Sequence, residues 1–152
     1  MERAKAVLNS SVVIALGTLK RLEHLTYFFG EIMIPTAVYE EVCIRGRGLP
    51  GDMELREAVS KGVITIKSVR NRSLVVEFCR ELSAGEAEAI ALALEERAVR
   101  MGLNVIGILR VLRMFYDKGL MDKQALVSEI RKLREHGFWV SDSVIRRILK
   151  EL

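Results

Sequence analysis

Apolar and polar residues alternate along the chain in blocks whose lengths predict alternating strands and helices. Short runs rich in apolar or β-branched residues are typical of buried strands, and longer segments with apolar residues three or four positions apart predict amphipathic helices. The runs predicted as strands are 6–9, 31–34 and 63–67. Strands alternating with helices predict an α/β fold: a three-layer α/β/α sandwich with a central, mostly parallel sheet and a helical C-terminal part.

Capping residues mark where several helices begin and end. Ser10 or Ser11 is placed to cap the first helix, and Ser83 with Glu86 forms the start signature Ser-x-x-Glu. Glycines are expected to end others, because the left-handed conformation costs glycine little. The predicted helices begin after residue 9 and then run over 21–29, 35–42, from about 53, 74–82, 86–96, 108–118, 123–136 and 143–152.

The region after residue 96 permits two interpretations. Asn104-Val-Ile106 is predicted as a last short strand. Ala98 and Met101, however, continue the apolar period of the preceding helix, so one long helix ending at Gly102 is the alternative.

Length and composition narrow the class of protein. The chain has 152 residues, of which 50% are hydrophobic and 29% charged, as expected for one globular domain. No apolar run approaches the roughly 20 residues of a membrane span, and the N-terminus does not resemble a signal peptide. We therefore expect a cytoplasmic protein without membrane contact. Cys43 and Cys79 lack metal-ligand spacing and are predicted to be buried free thiols.

Candidate chemistry is confined to polar residues that follow strands. Neither a glycine-rich phosphate loop nor a His/Cys cluster occurs, and His24 and His136 are predicted to lie at the surface or its boundary. On a helical wheel Glu86 falls at the edge of the apolar stripe, whereas Glu88 falls toward the polar sector. Glu86 is therefore the return half of a capping box or a carboxylate held for a cation, and the two roles are compatible.

Segments along nearly the whole chain resemble the PIN-domain family, in particular its archaeal and bacterial branch related to VapC toxin nucleases. The matching segments are LNSSVVIALGTLKRLEHL, FGEIMIPTAVYEEV, GRGLPG, LSAGEAEAIALALEE, GLNVIGILRVLRMFYDKGLMD and HGFWVSDSVIRRIL. The resemblance implies a single PIN-like domain over 1–152, in which acids at the edge of a Rossmann-like sheet hold Mg²⁺ or Mn²⁺ for cleavage of single-stranded RNA. It also implies a homodimer, with RNA and an antitoxin protein as partners.

Of the family's acidic positions, carried over one by one, some are acidic in this chain and others are not. Glu41 matches the helix glutamate, with Glu40 as the neighbouring alternative, and Glu86 matches the third acid, with Glu88 as its competitor. Asn9 stands where the family has its first aspartate. The family's fourth region, a strand ending in aspartate, belongs between residues 98 and 99 and is absent.

An amide oxygen can coordinate a hard cation but brings no negative charge, so affinity for Mg²⁺ or Mn²⁺ is expected to fall. We therefore predict a degraded or weakened metal-dependent ribonuclease. The alternatives are an active Mg²⁺- or Mn²⁺-dependent endoribonuclease whose fourth acidic segment lies outside this sequence, and a non-catalytic nucleic-acid- or protein-binding module without a cofactor. The predicted catalytic residues are Asn9, Glu41 and Glu86; the metal ligands are Glu41, Glu86 and Glu88; and the nucleic-acid contacts are Ser10, Ser11, Arg45 and Arg47.

The net charge of +4 is compatible with a nucleic-acid partner. Basic residues also cluster near the C-terminus, where they favour either a nucleic-acid-binding face or a solvated surface of mixed charge. These are Arg131, Lys132, Arg134, Arg146, Arg147 and Lys150.

Overall fold

The structure is a computed structural model that describes residues 3–101, 105–138 and 141–150. The chain forms two compact units, Met1–Leu103 and Asn104–Leu152. That the two units make up a single domain stays a prediction.

The first unit contains the sheet and the helices around it. Its elements are β1 (Lys5–Leu8), α1 (Ser10–Thr18), a 3₁₀ helix (Leu22–Tyr27), β2 (Glu31–Pro35), α2 (Thr36–Tyr39), a π-helical turn (Glu40–Arg45), α3 (Asp52–Ser60), β3 (Thr65–Lys67), α4 (Arg72–Phe78), α5 (Ala84–Glu96) and β4 (Val99–Met101).

The second unit is helical over its described residues. It contains α6 (Val105–Asp117), α7 (Lys123–Glu135) and α8 (Asp142–Lys150). Asp122 caps α7 by accepting a hydrogen bond from the Ala125 amide at 2.7 Å. Arg113 of α6 donates to the Ile148 carbonyl of α8 at 3.1 Å.

The sheet is parallel throughout, with the strand order β3-β2-β1-β4. Val7 of β1 lies opposite Met33 of β2, and both pack into a core with buried residues of α4 and α5. Leu8 and Ile34, which point to the other face, are also fully buried, as expected of a parallel sheet covered on both sides. The predicted α/β class is confirmed.

The strand order reverses at β1, because β2 and β3 lie on one side of it and β4 on the other. In open α/β sheets, ligands bind outside the carboxyl ends of the strands at such a reversal. Asn9 follows β1 directly, and the π-helical turn follows β2 after a single turn of α-helix. The fold therefore brings these two segments to the edge where chemistry is expected.

Both predictions for the region after residue 96 are wrong. Helix α5 ends at Glu96, where Arg97 takes a left-handed conformation with φ of 53°, and β4 follows at once. Val105 and Ile106 belong to α6, and Asn104 lies outside the described residues. Pairing of Val99–Met101 with Ala6–Leu8 of β1 supplies hydrogen bonds that a longer helix would forgo, so tertiary context overrides the helical period.

The cysteines differ from one another, contrary to the prediction of two buried thiols. Cys43 is a buried free thiol, whereas Cys79 is free but exposed. Cys79 follows the last residue of the short helix α4, so its apolar neighbours in sequence do not cover it in space. His136 is exposed and His24 is half-buried, as predicted. Within the described ranges, no helix is both long and apolar enough to cross a membrane.

Candidate functional site

A small cavity of about 40 Å³ lies at the carboxyl end of β1. A cavity of this size has room for a water molecule. Most of the predicted site residues meet at this cavity, and one further residue, Ser83, joins them. The lining residues are Asn9, Ser10, Ser11, Glu41, Ser83 and Glu86.

Asn9, only 1% exposed, is the N-cap of α1. Its Oδ1 accepts a hydrogen bond from the Val12 amide at 3.1 Å, so Asn9 takes the capping role predicted for Ser10 or Ser11. The Val12 donor also fixes the orientation of the amide, since a flipped Asn9 would present its nitrogen to another donor. Asn9 Nδ2 has no hydrogen-bond partner among the described residues.

Glu41 is the carboxylate that the π-helical turn carries to the cavity. The Ser10 hydroxyl donates to Glu41 Oε2 at 2.7 Å, which joins the start of α1 to this turn. Its neighbour Glu40 is exposed and does not line the cavity. Of the two neighbouring candidates, the structure therefore places Glu41 at the cavity.

The π-helical turn closes at Gly46, where a side chain would not fit. A Cβ atom on Gly46 would lie 2.7 Å from the Val42 carbonyl oxygen and 2.9 Å from that of Glu41. π-helical turns are rare and occur frequently at functional sites. The apolar spacing in this segment is also that of an α-helix, so the sequence pattern did not reveal the turn; Gly46 is the signal that could have suggested it.

The first turn of α5 forms the opposite wall of the cavity. Ser83 caps this helix by accepting a hydrogen bond from the Glu86 amide at 3.3 Å, as the start signature predicts. A Cβ atom on Gly85 would lie 2.8 Å from Glu41 Oε2 and 3.4 Å from Ser10 Oγ. The Glu41 carboxylate thus approaches a helix N-terminus, whose partial positive charge favours a negative group.

Glu88, the alternative metal ligand, does not line the cavity and is buried rather than in a polar sector. Its Oε1 accepts from the Ala37 amide at 3.1 Å, and its Oε2 accepts from Arg72 Nη2 at 3.3 Å. These contacts join α5 to the first turn of α2 and to α4. Because the partners come from distant segments, the helical wheel alone could not predict them.

Arg45 and Arg47 also lie outside the cavity lining. Both side chains are exposed, Arg45 at the end of the π-helical turn and Arg47 in the glycine loop that follows it. Only Ser10 and Ser11 of the four predicted nucleic-acid contacts are at the cavity.

Comparison with known proteins identifies the fold family. A family-wide sequence model described as a PIN domain matches residues 5–152. The chain belongs to the PIN-domain family. A search of curated proteins returned no match. The PIN domain is a nuclease-type fold, and PIN domains generally depend on divalent metal ions.

The residues of this PIN domain do not fit a divalent metal centre of the expected kind. In the described part of the chain, only Glu41 and Glu86 bring carboxylates to the cavity. Among the residues that the structure describes, no group of three or more His, Cys, Asp or Glu side chains could hold a metal ion. In the sequence, residues 97–116 contain neither Asp nor Glu, so the part of the chain around the missing fourth region supplies no acid either. The unpartnered Nδ2 of Asn9 is a donor, which a cation cannot use.

Proposed function

We propose that this PIN-domain protein is a degraded relative of VapC-like, metal-dependent ribonucleases. The observation that carries the proposal is the hydrogen bonding of Asn9. Its single oxygen caps α1, and its remaining polar group is a buried donor. An aspartate at this position would cap α1 with one oxygen and keep a second, charged oxygen for a cation.

The number of carboxylates at the cavity explains why asparagine in place of aspartate at position 9 matters for cation binding. Affinity for hard divalent cations depends strongly on the number of carboxylates, and two remain at this cavity. One of them, Glu41, already accepts a hydrogen bond from Ser10. Without a tightly held cation, the site lacks the group that activates water and stabilises charge on the phosphate in metal-dependent nucleases.

The test compares the native chain with Asn9→Asp for Mn²⁺ binding, measured by calorimetry, and for Mn²⁺-dependent cleavage of single-stranded RNA. We expect the native chain to show no cleavage above a control with EDTA, and Asn9→Asp to bind Mn²⁺ at least tenfold more tightly, roughly the effect of 1.4 kcal/mol. Any gain of cleavage should appear only in this variant.

Asn71→Asp is the matched control. Asn71 caps α4 as Asn9 caps α1, with its Oδ1 accepting from the Leu74 amide at 3.1 Å, but it is exposed and does not line the cavity. This variant makes the same chemical change without adding charge to the site, so its Mn²⁺ affinity should equal that of the native chain.

Two results would contradict the proposal. One is a Mn²⁺ affinity in Asn9→Asp no higher than in Asn71→Asp, which would show that a missing carboxylate at position 9 does not limit metal binding. RNA cleavage by the native chain that disappears in Glu86→Gln but persists in Glu40→Gln would show that two carboxylates suffice for an active enzyme. An RNA target, an antitoxin partner, a homodimer and a cytoplasmic location stay predictions.

A further inference from the structure

Residues 45–51 run from the last residue of the π-helical turn to the residue before α3 and are tied down by one buried carboxylate; we refer to them as the arginine loop. Asp52 is 4% exposed, and its Oδ2 accepts from the Gly48 amide at 2.9 Å. Its Oδ1 accepts from Arg56 Nε at 2.6 Å, and Arg56 Nη2 donates to the Cys43 carbonyl in the π-helical turn. Asp52 therefore links the loop, the π-helical turn and α3.

The far end of the arginine loop is held by close backbone packing. Gly51 has φ of 96°, and a Cβ atom on it would lie 3.0 Å from Ile14 Cα in α1. A Cβ atom on Gly17 of the same helix would lie 3.0 Å from Gly51 Cα. The loop is thus fixed at its middle and its end, so its conformation does not have to be ordered on binding a ligand.

This fixed loop presents two cations to solvent. Arg45 and Arg47 are exposed, and neither forms a hydrogen bond or ion pair with any described residue. By contrast, two other exposed arginines of the first unit are paired: Arg70 with Glu95 and Arg80 with Glu77. Arg45 also ends the π-helical turn that carries Glu41, four residues earlier.

We propose that the arginine loop contacts the phosphodiester backbone of single-stranded RNA, with Arg45 and Arg47 each binding a phosphate and Asp52 as the positioning residue. The guanidinium group matches phosphate geometry with paired hydrogen bonds. An RNA strand bound across the Glu41 cavity would pass the arginine loop, because Arg45 follows Glu41 by only four residues. The choice of RNA rests on the proposed function, but the contact does not depend on catalysis.

Exposed aliphatic residues lie within and beside the same loop and favour a competing interpretation, a protein-binding surface. Ile44, Leu49 and Met53 are 58%, 63% and 76% exposed. Such side chains are typical of protein-binding patches, whereas single-stranded nucleic acids favour aromatic stacking platforms. The unpaired arginines beside the nuclease-type site favour RNA, and a protein partner is the outcome that the experiment must exclude.

The experiment measures binding of a fluorescently labelled single-stranded RNA oligomer of mixed sequence by anisotropy, in EDTA and over a range of salt concentrations. Each phosphate contact on single-stranded nucleic acid contributes about 0.7 to the slope of log affinity against log salt. We expect the double variant Arg45→Gln/Arg47→Gln to lower that slope by about 1.4. Its affinity at low salt should fall about tenfold or more.

The double variant Arg70→Gln/Arg80→Gln is the matched control, because it removes the same charge from exposed arginines that are already paired. Its slope should equal that of the native chain. An equal fall in slope for both double variants would show that net charge, and not the arginine loop, determines binding.

Asp52→Asn tests positioning separately from charge. It makes the chain more positive by one, which by electrostatics alone would strengthen RNA binding. We expect weaker binding instead, because the loop must then be ordered by the ligand. Asp117→Asn, which changes charge equally at an exposed helix end, should not weaken binding. Circular dichroism of Asp52→Asn checks that it is folded; stronger binding by the folded variant would refute the positioning role.

An unchanged affinity and slope in Arg45→Gln/Arg47→Gln would overturn the proposal and assign the loop to a protein partner. Absence of any RNA binding by the native chain at low salt would overturn it as well. Since these measurements exclude metal, they are independent of the Mn²⁺ experiments, so failure of the loop contact is distinguishable from failure of the proposed function.

Discussion

Asn9 and Glu41 line the same cavity but differ in the polar atoms that they leave available. Glu41 accepts from the Ser10 hydroxyl, whereas the free polar group of Asn9 is a donor without a partner. A nuclease centre built on cations needs acceptors at both positions. The difference of one atom, nitrogen for oxygen, is the basis of the proposed loss of metal binding.

The two cysteine thiols, Cys43 and Cys79, are expected to differ in reactivity. Burial, with the nearby Asp52, raises the pKa of Cys43 to about 11, so its thiol stays protonated near neutral pH. Because the thiolate is the reactive form, dithionitrobenzoate at about pH 8 should modify Cys79 rapidly and Cys43 only after unfolding. The release of thionitrobenzoate measures both phases. Cys79→Ser should lack the rapid phase; a rapid phase that persists in this variant would place Cys43 at the surface.

At the scale of secondary structure elements, two successive turns of helix α5 have different roles. Its first turn borders the cavity, while Glu88, one turn further, holds the start of α2 through the Ala37 amide. The buried carboxylate therefore stabilises the element that leads into the π-helical turn and Glu41. This assigns Glu88 a structural role in place of the metal-binding role that the sequence left open.

Replacing Glu88 with alanine tests that role. The variant leaves a helix-terminal amide and the Arg72 guanidinium without their shared partner, so the free energy of unfolding should fall by about 1–3 kcal/mol. Urea denaturation measures the change. Glu77→Ala is the control, since Glu77 is an exposed helix residue paired only at the surface. A loss in Glu88→Ala no greater than in this control would contradict the structural role.

For the molecule as a whole, carboxylates that bond to backbone amides determine the expected response to acid. The Gly48 amide, together with Arg56, lowers the pKa of Asp52. The Asn71 amide at 2.6 Å, followed by the Arg70 amide, lowers the pKa of Glu95. A lowered folded-state pKa contributes stability above the unfolded-state pKa, and that contribution is lost as the pH falls through the folded value.

We therefore expect the free energy of unfolding to be steady near neutral pH and to decline below about pH 4, where Asp and Glu protonate in unfolded chains. The variant Asp52→Asn/Glu95→Gln should be less stable at neutral pH and should show a shallower decline in acid. Urea denaturation at several pH values measures both effects. A decline as steep as that of the native chain would contradict the assignment of these two carboxylates.

Much of the fold could be predicted because its signals are local. The sequence predicts α7 over 123–136 and the helix spans 123–135, and Ser83 caps α5 as its start signature indicates. The sequence predicts β2 over 31–34 and the strand spans 31–35. Apolar periodicity and capping are read from neighbouring residues, so a single sequence suffices for such elements.

Patterns along the chain predict the parallel α/β class and the candidate residues Asn9, Glu41 and Glu86, and they show that 97–116 contains no acid. Three features become visible only in the folded molecule: Asn9 caps α1, Glu88 bonds to Ala37, and Val99–Met101 pairs with β1. The range of the interactions explains this division. Periodicity acts between adjacent turns, whereas the partner of a buried polar group and the neighbour of a strand are chosen among segments far apart in the chain.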